Sequence, residues 1–266
     1  MGFVPDRDHH ALAEAVFGIE IDRPLQPREI EIIKAAHNLW REQLPRVNDI
    51  ETHQFIIGTV EGLSPPQVVP AMGVVFERIK PDGTIAWRLT CNQSSILVNC
   101  LEYTTWSEIW PQALALMRKV ILSLGETDLK IVNVMHQTVD MFRWEGSLDS
   151  YAATLLLDPQ KGFVPQRIFN NGPEWHLYQG WFNESSDPVL GRILNRIHID
   201  TLIEPMGSVR MDTYLRKDLG ELVEISSLEL DNGAIEKIFA WLHTENKEVL
   251  KNFLTEPILA SINLGN

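Results

Sequence analysis

Two cysteines in 266 residues leave little from which a disulfide framework could be built, the pattern of a chain kept in a reducing compartment. Long apolar runs are missing as well: no stretch approaches the ~18 consecutive apolar residues of a membrane-spanning helix, which excludes that class. Positive charge is scarce. With 23 Lys+Arg against 36 Asp+Glu, the formal charge of −13 repels polyphosphate, and no local basic run opposes it, so direct nucleic-acid binding is not expected. The chain has no G-x-S-x-G elbow, no G-x-x-x-x-G-K-[ST] loop and no G-x-G-x-x-G, so hydrolase and nucleotide-binding readings lose their usual support. The opening MGFVPDRDHH offers no basic segment followed by an apolar core, and Asp6 stands where a myristoylation signal needs Ser or Thr. A cytoplasmic protein without an anchor is the expectation.

Geometry tests the cysteine pair further. If Asn92 to Ser95 form a four-residue hairpin loop, Cys91 lies opposite Ile96 and Cys100 opposite Trp87. The two thiols are then offset by roughly 13 Å, beyond the ~7 Å limit between Cα atoms of a disulfide.

What is present is periodic. Leu12–Ile21 alternates, with Ala15, Phe17, Ile19 and Ile21 on one face and Glu14 and Glu20 on the other, as in an edge or one-sided strand. Pro27 suits the first turn of a helix whose stripe is Ile30, Ile33, His37, Trp40 and Leu44, and Pro45 ends it. His37 on that stripe reads as a satisfied histidine at a core margin. Met72–Ile79, Thr84–Cys91 and Ser95–Tyr103, joined by KPDG and NQSS, read as a three-stranded antiparallel meander. A helix to Leu124 follows, then a long strand over Lys130–Trp144, in which Val132, Val134, His136 and Thr138 alternate before an irregularity ahead of Met141. A further helix is expected over Asp149–Leu157, and a Pro-, Gly- and Asn-rich loop over Asp158–Pro173 is the best domain boundary.

The second part reads as strands at Glu174–Asn183, Arg192–Ile203, Ser208–Lys217 and Leu222–Leu230, before a helix starting near Gly233 and capped by Asp231 or Asn232. Its stripe is Ile235, Phe239, Leu242, Val249, Leu250 and Phe253. The expected fold class is therefore α+β, in two similar halves, each an antiparallel meander followed by a long helix. The halves are 1–160 and 174–266, able to pack as one unit.

The stretch LEYTTWSEIW joins the first meander to its helix. Thr105 and Glu108 have capping-box spacing, and Trp106 and Trp110 lie at i and i+4 ahead of Leu114, Met117 and Ile121. Pro111 requires a kink or a restart at Trp110. The ring of Trp106 is expected under the strands as core, with Trp110 packing less completely; the alternative is an aromatic binding platform.

From WRLTCNQSSILVNCLEYTTWSEIWPQALALMRKVI to KIVNVMHQTVDMFRW, the chain resembles a sporadically distributed family of uncharacterised bacterial proteins of about 250 residues. That family shares Trp-x-Phe/Leu-Thr, a strand, Tyr-Thr/Ser-x-Trp opening a helix, and a later strand that often carries Arg-Tyr-Ile-Asn. Trp87, Leu89, Thr90, Tyr103, Thr105 and Trp106 match, whereas VNVMHQTV lacks the Arg-Tyr pair. LAEAVFGIEIDRPL and IFAWLHTENKEVLKNFLTE are similar to its opening strand and closing helix, so the likeness spans most of the chain. It implies a fold grouping and an accessory rather than metabolic setting, and no catalytic residues.

Chemistry-bearing residues are few. His198 and Asp200, two apart on a strand, project to one face and could share a metal, with His176 or His136 as the third ligand. His9 and His10 read as a mobile pair, and Cys91 as buried and inert. Acid concentrates late: Asp200, Glu204, Asp212, Asp218, Glu221, Glu224, Glu229, Asp231 and Glu236 face only Arg210, Arg216 and Lys217. This is either a solvated face or a docking surface centred on Asp218, Glu221 and Glu224. The expectation is a non-enzymatic bacterial binding protein acting on a protein partner, in a mobile defence or toxin-neutralising module, with no cofactor. The alternative is a metal-dependent enzyme built on His198 and Asp200. A small-molecule sensor using a cavity between sheet and helix is a third class that the architecture allows.

Overall fold

The computed structural model describes residues 2–7, 10–50, 73–170, 172–185, 190–201, 207–229 and 233–264. In chain order these form β1 (Gly2–Pro5), β2 (Leu12–Ile21), α1 (Pro27–Ala35), β3 (Arg46–Ile50), β4 (Gly73–Ile79), β5 (Ile85–Asn92), β6 (Ser95–Cys100), α2 (Trp106–Leu124) and β7 (Lys130–Glu145). Then come β8 (His176–Glu184), β9 (Arg192–Thr201), β10 (Val209–Glu224), α3 (Ala234–Phe253) and α4 (Glu256–Ser261). The class is α+β.

The strands make one ten-stranded sheet in the order β3-β4-β5-β6-β2-β7-β10-β9-β8, with β1 pairing β7 beyond the end of β2. Every pairing is antiparallel. The meander β4-β5-β6 leads into α2 and the meander β8-β9-β10 leads towards α3, while β2 and β7 lie side by side between them. Local chemistry fixes the turns. Gly83, at φ 86°, closes the β4–β5 turn, and Asn92 Oδ1 accepts from the amides of Ser94 and Ser95 to close β5–β6. The resulting register sets Cys91 against Ile96 and Cys100 against Trp87, and both thiols are buried and free.

All the helices cover one face. Phe17, Ile19, Phe76, Leu89 and Ile96 from the sheet meet Ile33, Trp110, Met117 and Phe239 in one buried apolar cluster. A second cluster joins Phe142, Trp144, Ile197, Ile199 and Met211 to Val249, Leu250, Phe253 and Leu259. On the other face, among the described residues, side chains pair laterally rather than under a helix: Glu14 with Asn99, Glu77 with Arg88, Gln137 with Asp212.

Several expectations need correction. Leu12–Ile21 is not an edge strand, because both its edges carry ladder bonds, to β6 and β7; Ala15, Phe17, Ile19 and Ile21 do share the core face, with Glu14 on the other. Residues 149–157 form short 3-10 turns, since Ala153, Leu156 and Leu157 plug the second cluster rather than lie along one helical stripe. The segment after them, with Val164 and Ile168 buried, packs into the same cluster. The expected last strand is the end of β10, which pairs β7 again through Val223 and Glu224 after a register shift. Thr105 makes no side-chain cap; its hydroxyl meets Ser107 Oγ at 3.1 Å. α2 nonetheless runs unbroken through Pro111. Trp110 is the deeper of the two tryptophans, at 7% exposure, whereas Trp106 is half-buried. The caps expected at Asp231 or Asn232 lie outside the described residues.

Candidate functional site

Even-numbered residues of β7 face the helices. Val134 and Phe142 are apolar, as the core requires, but His136, Thr138 and Asp140 between them are polar and buried. This polar row separates the two apolar clusters. His136 Nδ1 lies 3.0 Å from the carbonyl of Val16, and a carbonyl only accepts, so Nδ1 carries the proton and Nε2 is an acceptor. Burial pushes this imidazole down to about 4, so it is neutral near pH 7. Thr138 Oγ1 accepts from Asn246 Nδ2 at 2.9 Å. Burial pushes the Asp140 carboxyl up to about 7, with Thr138 as its one restraining hydrogen bond. Asp140 Oδ2 is buried with no partner among the described residues.

The opposite wall is α3, where His243, Asn246, Lys247 and Leu250 recur at i, i+3, i+4 and i+7. The His243 ring stacks on Trp106 at 3.9 Å between centroids and 10° between planes. Trp110 covers the other face of Trp106 at 5.4 Å and 11°, so Trp106 is held between two rings. Burial, with His136 and Lys247 adding repulsion, pushes His243 down to about 3. Tyr103 and His10, in edge contact at 5.5 Å, form the near end, and Leu12, Ala15 and Ile262 complete the wall. These residues line a half-open cavity of about 90 Å³.

The polar row extends across the sheet. Thr213 lies opposite Thr138, and Asn195 is on the next strand; both are buried, and the Thr213 hydroxyl and both amide atoms of Asn195 have no partner among the described residues. Each unpaired buried polar group costs ~1–3 kcal/mol. Of these groups Asp140 lines the cavity, whereas Thr213 and Asn195 do not. With His136 and His243 neutral, burial makes Asp140 an acid of this pocket that titrates near neutrality, and Lys247 shares the lining.

Apart from His136, the site residues read from the sequence lie elsewhere. His198 Nε2 and Asp200 Oδ2 are 3.0 Å apart on the open face of β9, both partly exposed, with Tyr178 packed on His198 at 5.7 Å. His176 is opposite Asp200 in the ladder, while His136 points to the other face. Among the described residues no group of three His, Cys, Asp or Glu is placed to hold a metal ion. Asp218 pairs with Arg216 at 2.9 Å and Glu224 with Lys130 at 3.6 Å, and Glu221 is exposed within the register shift of β10. His198, Asp200, Asp218, Glu221 and Glu224 do not line the pocket, whereas His136 does. His10 does, in place of the expected mobile pair; His9 is outside the described residues. His37 Nε2 meets the carbonyl of Leu44 at 2.7 Å, and burial pushes the Cys91 thiol up to about 12.

No protein-family model and no curated protein matches this chain. The pocket's chemistry must then be read from its own atoms. Sequence reasoning missed Asp140, because a carboxylate in an alternating strand looks like a break in the pattern. It missed His243 and Asn246 too, although the gap in the α3 stripe from Leu242 to Val249 marks the place where the helix face stops being apolar.

Proposed function

We propose that the protein is a binding protein whose ligand site is the pocket between β7 and α3. One observation carries this reading: Asp140, a residue of the cavity's lining, has a buried Oδ2 with no partner from the described chain. A ligand donor there would remove a standing desolvation cost, and the stacked Trp106–His243 pair gives the site a rigid wall. The same reading takes the two meander-and-helix runs as equivalent halves about the β2–β7 pair, with the pocket near their seam. The test is native mass spectrometry of protein purified without denaturation from its own host. A small molecule retained by the wild type and lost in Asp140→Leu is expected; no bound mass, and no stabilisation by any compound of a metabolite library, overturns the reading.

A second reading, a protein partner met on the open sheet face, is favoured by a different observation. Tyr178 and Phe182, 61% and 50% exposed, lie on the open face of β8, with the Arg192 guanidinium 3.8 Å above the Phe182 ring. β8 has no outer strand partner among the described residues, which suits an added strand from a partner, as in a toxin-neutralising module. Asp218, Glu221 and Glu224 would lie at the margin of such a complex. Crosslinked co-purification that survives in the Tyr178→Ala/Phe182→Ala double variant counts against this face.

A further inference from the structure

We propose that the pocket takes a small primary ammonium compound, with Asp140, His136 and Asn246 as the three hydrogen-bond acceptors of its –NH3+ group. The proposal rests on the reading of the pocket as a ligand site and names its ligand class. An ammonium group has three donors and no acceptor. Three acceptors belong to residues that line the cavity: His136 spends its Nδ1 proton on Val16, which leaves Nε2 as an acceptor; Asn246 spends Nδ2 on Thr138, which leaves Oδ1; and Asp140 has Oδ2 without a partner among the described residues. An anionic ligand would have only Lys247 of the charged lining in its favour, and would meet the Asp140 carboxylate and the lone pairs of His136 Nε2 and Asn246 Oδ1. A metal ion finds only one hard charged ligand.

The cavity, half open, has room of about 90 Å³, which fits an ammonium head and the first few carbons of a chain. Leu12, Ala15, Leu250 and Ile262 supply the apolar surface for that chain. The charged and titratable groups facing Asp140 are His10 from the N-terminal segment, Tyr103 ahead of α2, His136 on its own strand, and His243 and Lys247 from α3. Tyr103 is pushed up to about 12, by burial first, and His136 and His243 are pushed far down, so none of these three changes charge near pH 7. Asp140 does, and its carboxylate form is the one an ammonium selects.

The experiment titrates the wild-type chain and Asp140→Asn with propylammonium chloride, propionamide and sodium propionate at matched ionic strength, near pH 8.5 and near pH 5.5. Tryptophan fluorescence and melting temperature are read, since Trp106 and Trp110 flank the site. Propylammonium is expected to saturate both signals of the wild type, at least about tenfold more tightly at the higher pH, and to leave Asp140→Asn unmoved. The pH ratio needs no variant, so it stands even if the substitution disturbs folding. Propylammonium binding that is independent of pH, or undiminished in a folded Asp140→Asn, overturns the acceptor assignment. Saturation by propionamide or propionate instead of propylammonium overturns the ammonium class and leaves the pocket reading intact. Silence from all three overturns the ligand class, and the metabolite library then decides whether the pocket reading goes with it.

Discussion

Asp140, His136 and His243 pull the stability of the molecule in opposite directions as pH changes. Asp140 titrates near 7 when folded and near 4 when unfolded, so between those values the folded chain keeps a proton that the unfolded chain has lost. Its contribution falls as pH rises over that interval and stays lost above it. The histidines do the reverse. With folded values of about 4 and 3 against ~6.5 unfolded, they contribute stability that grows as pH rises to about 6.5. Two rising terms against one falling term give a maximum near pH 6.5 and a shallow decline beyond it. Asp140→Asn removes the falling term. Urea midpoints are expected to show the variant more stable than the wild type near pH 8, by up to on the order of 4 kcal/mol, and close to it near pH 4.5. A variant less stable at pH 8 would mean the carboxylate is satisfied within the chain. The tryptophans make a second residue-scale prediction. Trp110 meets Phe17, Phe239 and Trp106 at 5.4, 4.6 and 5.4 Å and is buried, so Trp110→Ala should cost about 3–5 kcal/mol. Trp106→Ala should cost clearly less in the same urea titration.

At the scale of elements, the close approach of β4 and β5 depends on Gly73. A Cβ there would sit 2.5 Å from the carbonyl oxygen of Cys91 and 2.9 Å from the Cα of Asn92, both backbone atoms that cannot swing away. Gly73→Ala should therefore lower stability by at least about 1–3 kcal/mol, seen as a lower melting temperature, while Thr105→Ala should change it by less than about 0.5 kcal/mol because no cap bond is lost. Those two positions also show what a sequence discloses. The meander was legible because alternation and turn chemistry at KPDG and NQSS are local, and so was the offset of Cys91 and Cys100. The stripes of α2 and α3 were legible for the same reason, whereas that of α1 holds only for Ile30 and Ile33, because the helix ends at Ala35 and His37, Trp40 and Leu44 follow in a 3-10 turn and a loop. Which strand neighbours β2 was not, since nothing in LAEAVFGIEI encodes a partner more than a hundred residues on. The order of Trp106 and Trp110 was hidden likewise: it depends on His243 arriving from α3 to cover Trp106. His198 and Asp200 were legible as a pair, but whether such a pair is a site depends on what other strands bring to it, and among the described residues they bring no third ligand.

The whole molecule is one continuous sheet whose central pair joins its beginning to its middle. The ladder from β6 through β2 and β7 to β10 crosses the boundary between 1–160 and the rest, and Asn246 reaches back to Thr138. A chain ending at residue 160 would leave β7 without β10 and its polar row without α3. Such a fragment is expected to lack a cooperative urea transition, whereas the full chain should show a single one. The position of β7 also has a consequence during synthesis. The bond from His136 to the Val16 carbonyl spans 120 residues of chain. At ~5–20 residues per second, a ribosome needs on the order of ten seconds to make that stretch. Through that interval the nascent Ala15–Ile21, apolar on one edge and rich in strand formers, waits beside the exit tunnel with an unpaired edge. Synthesis rate and holding chaperones, rather than the finished fold's stability, then govern how much of the protein reaches its native state when it is made quickly.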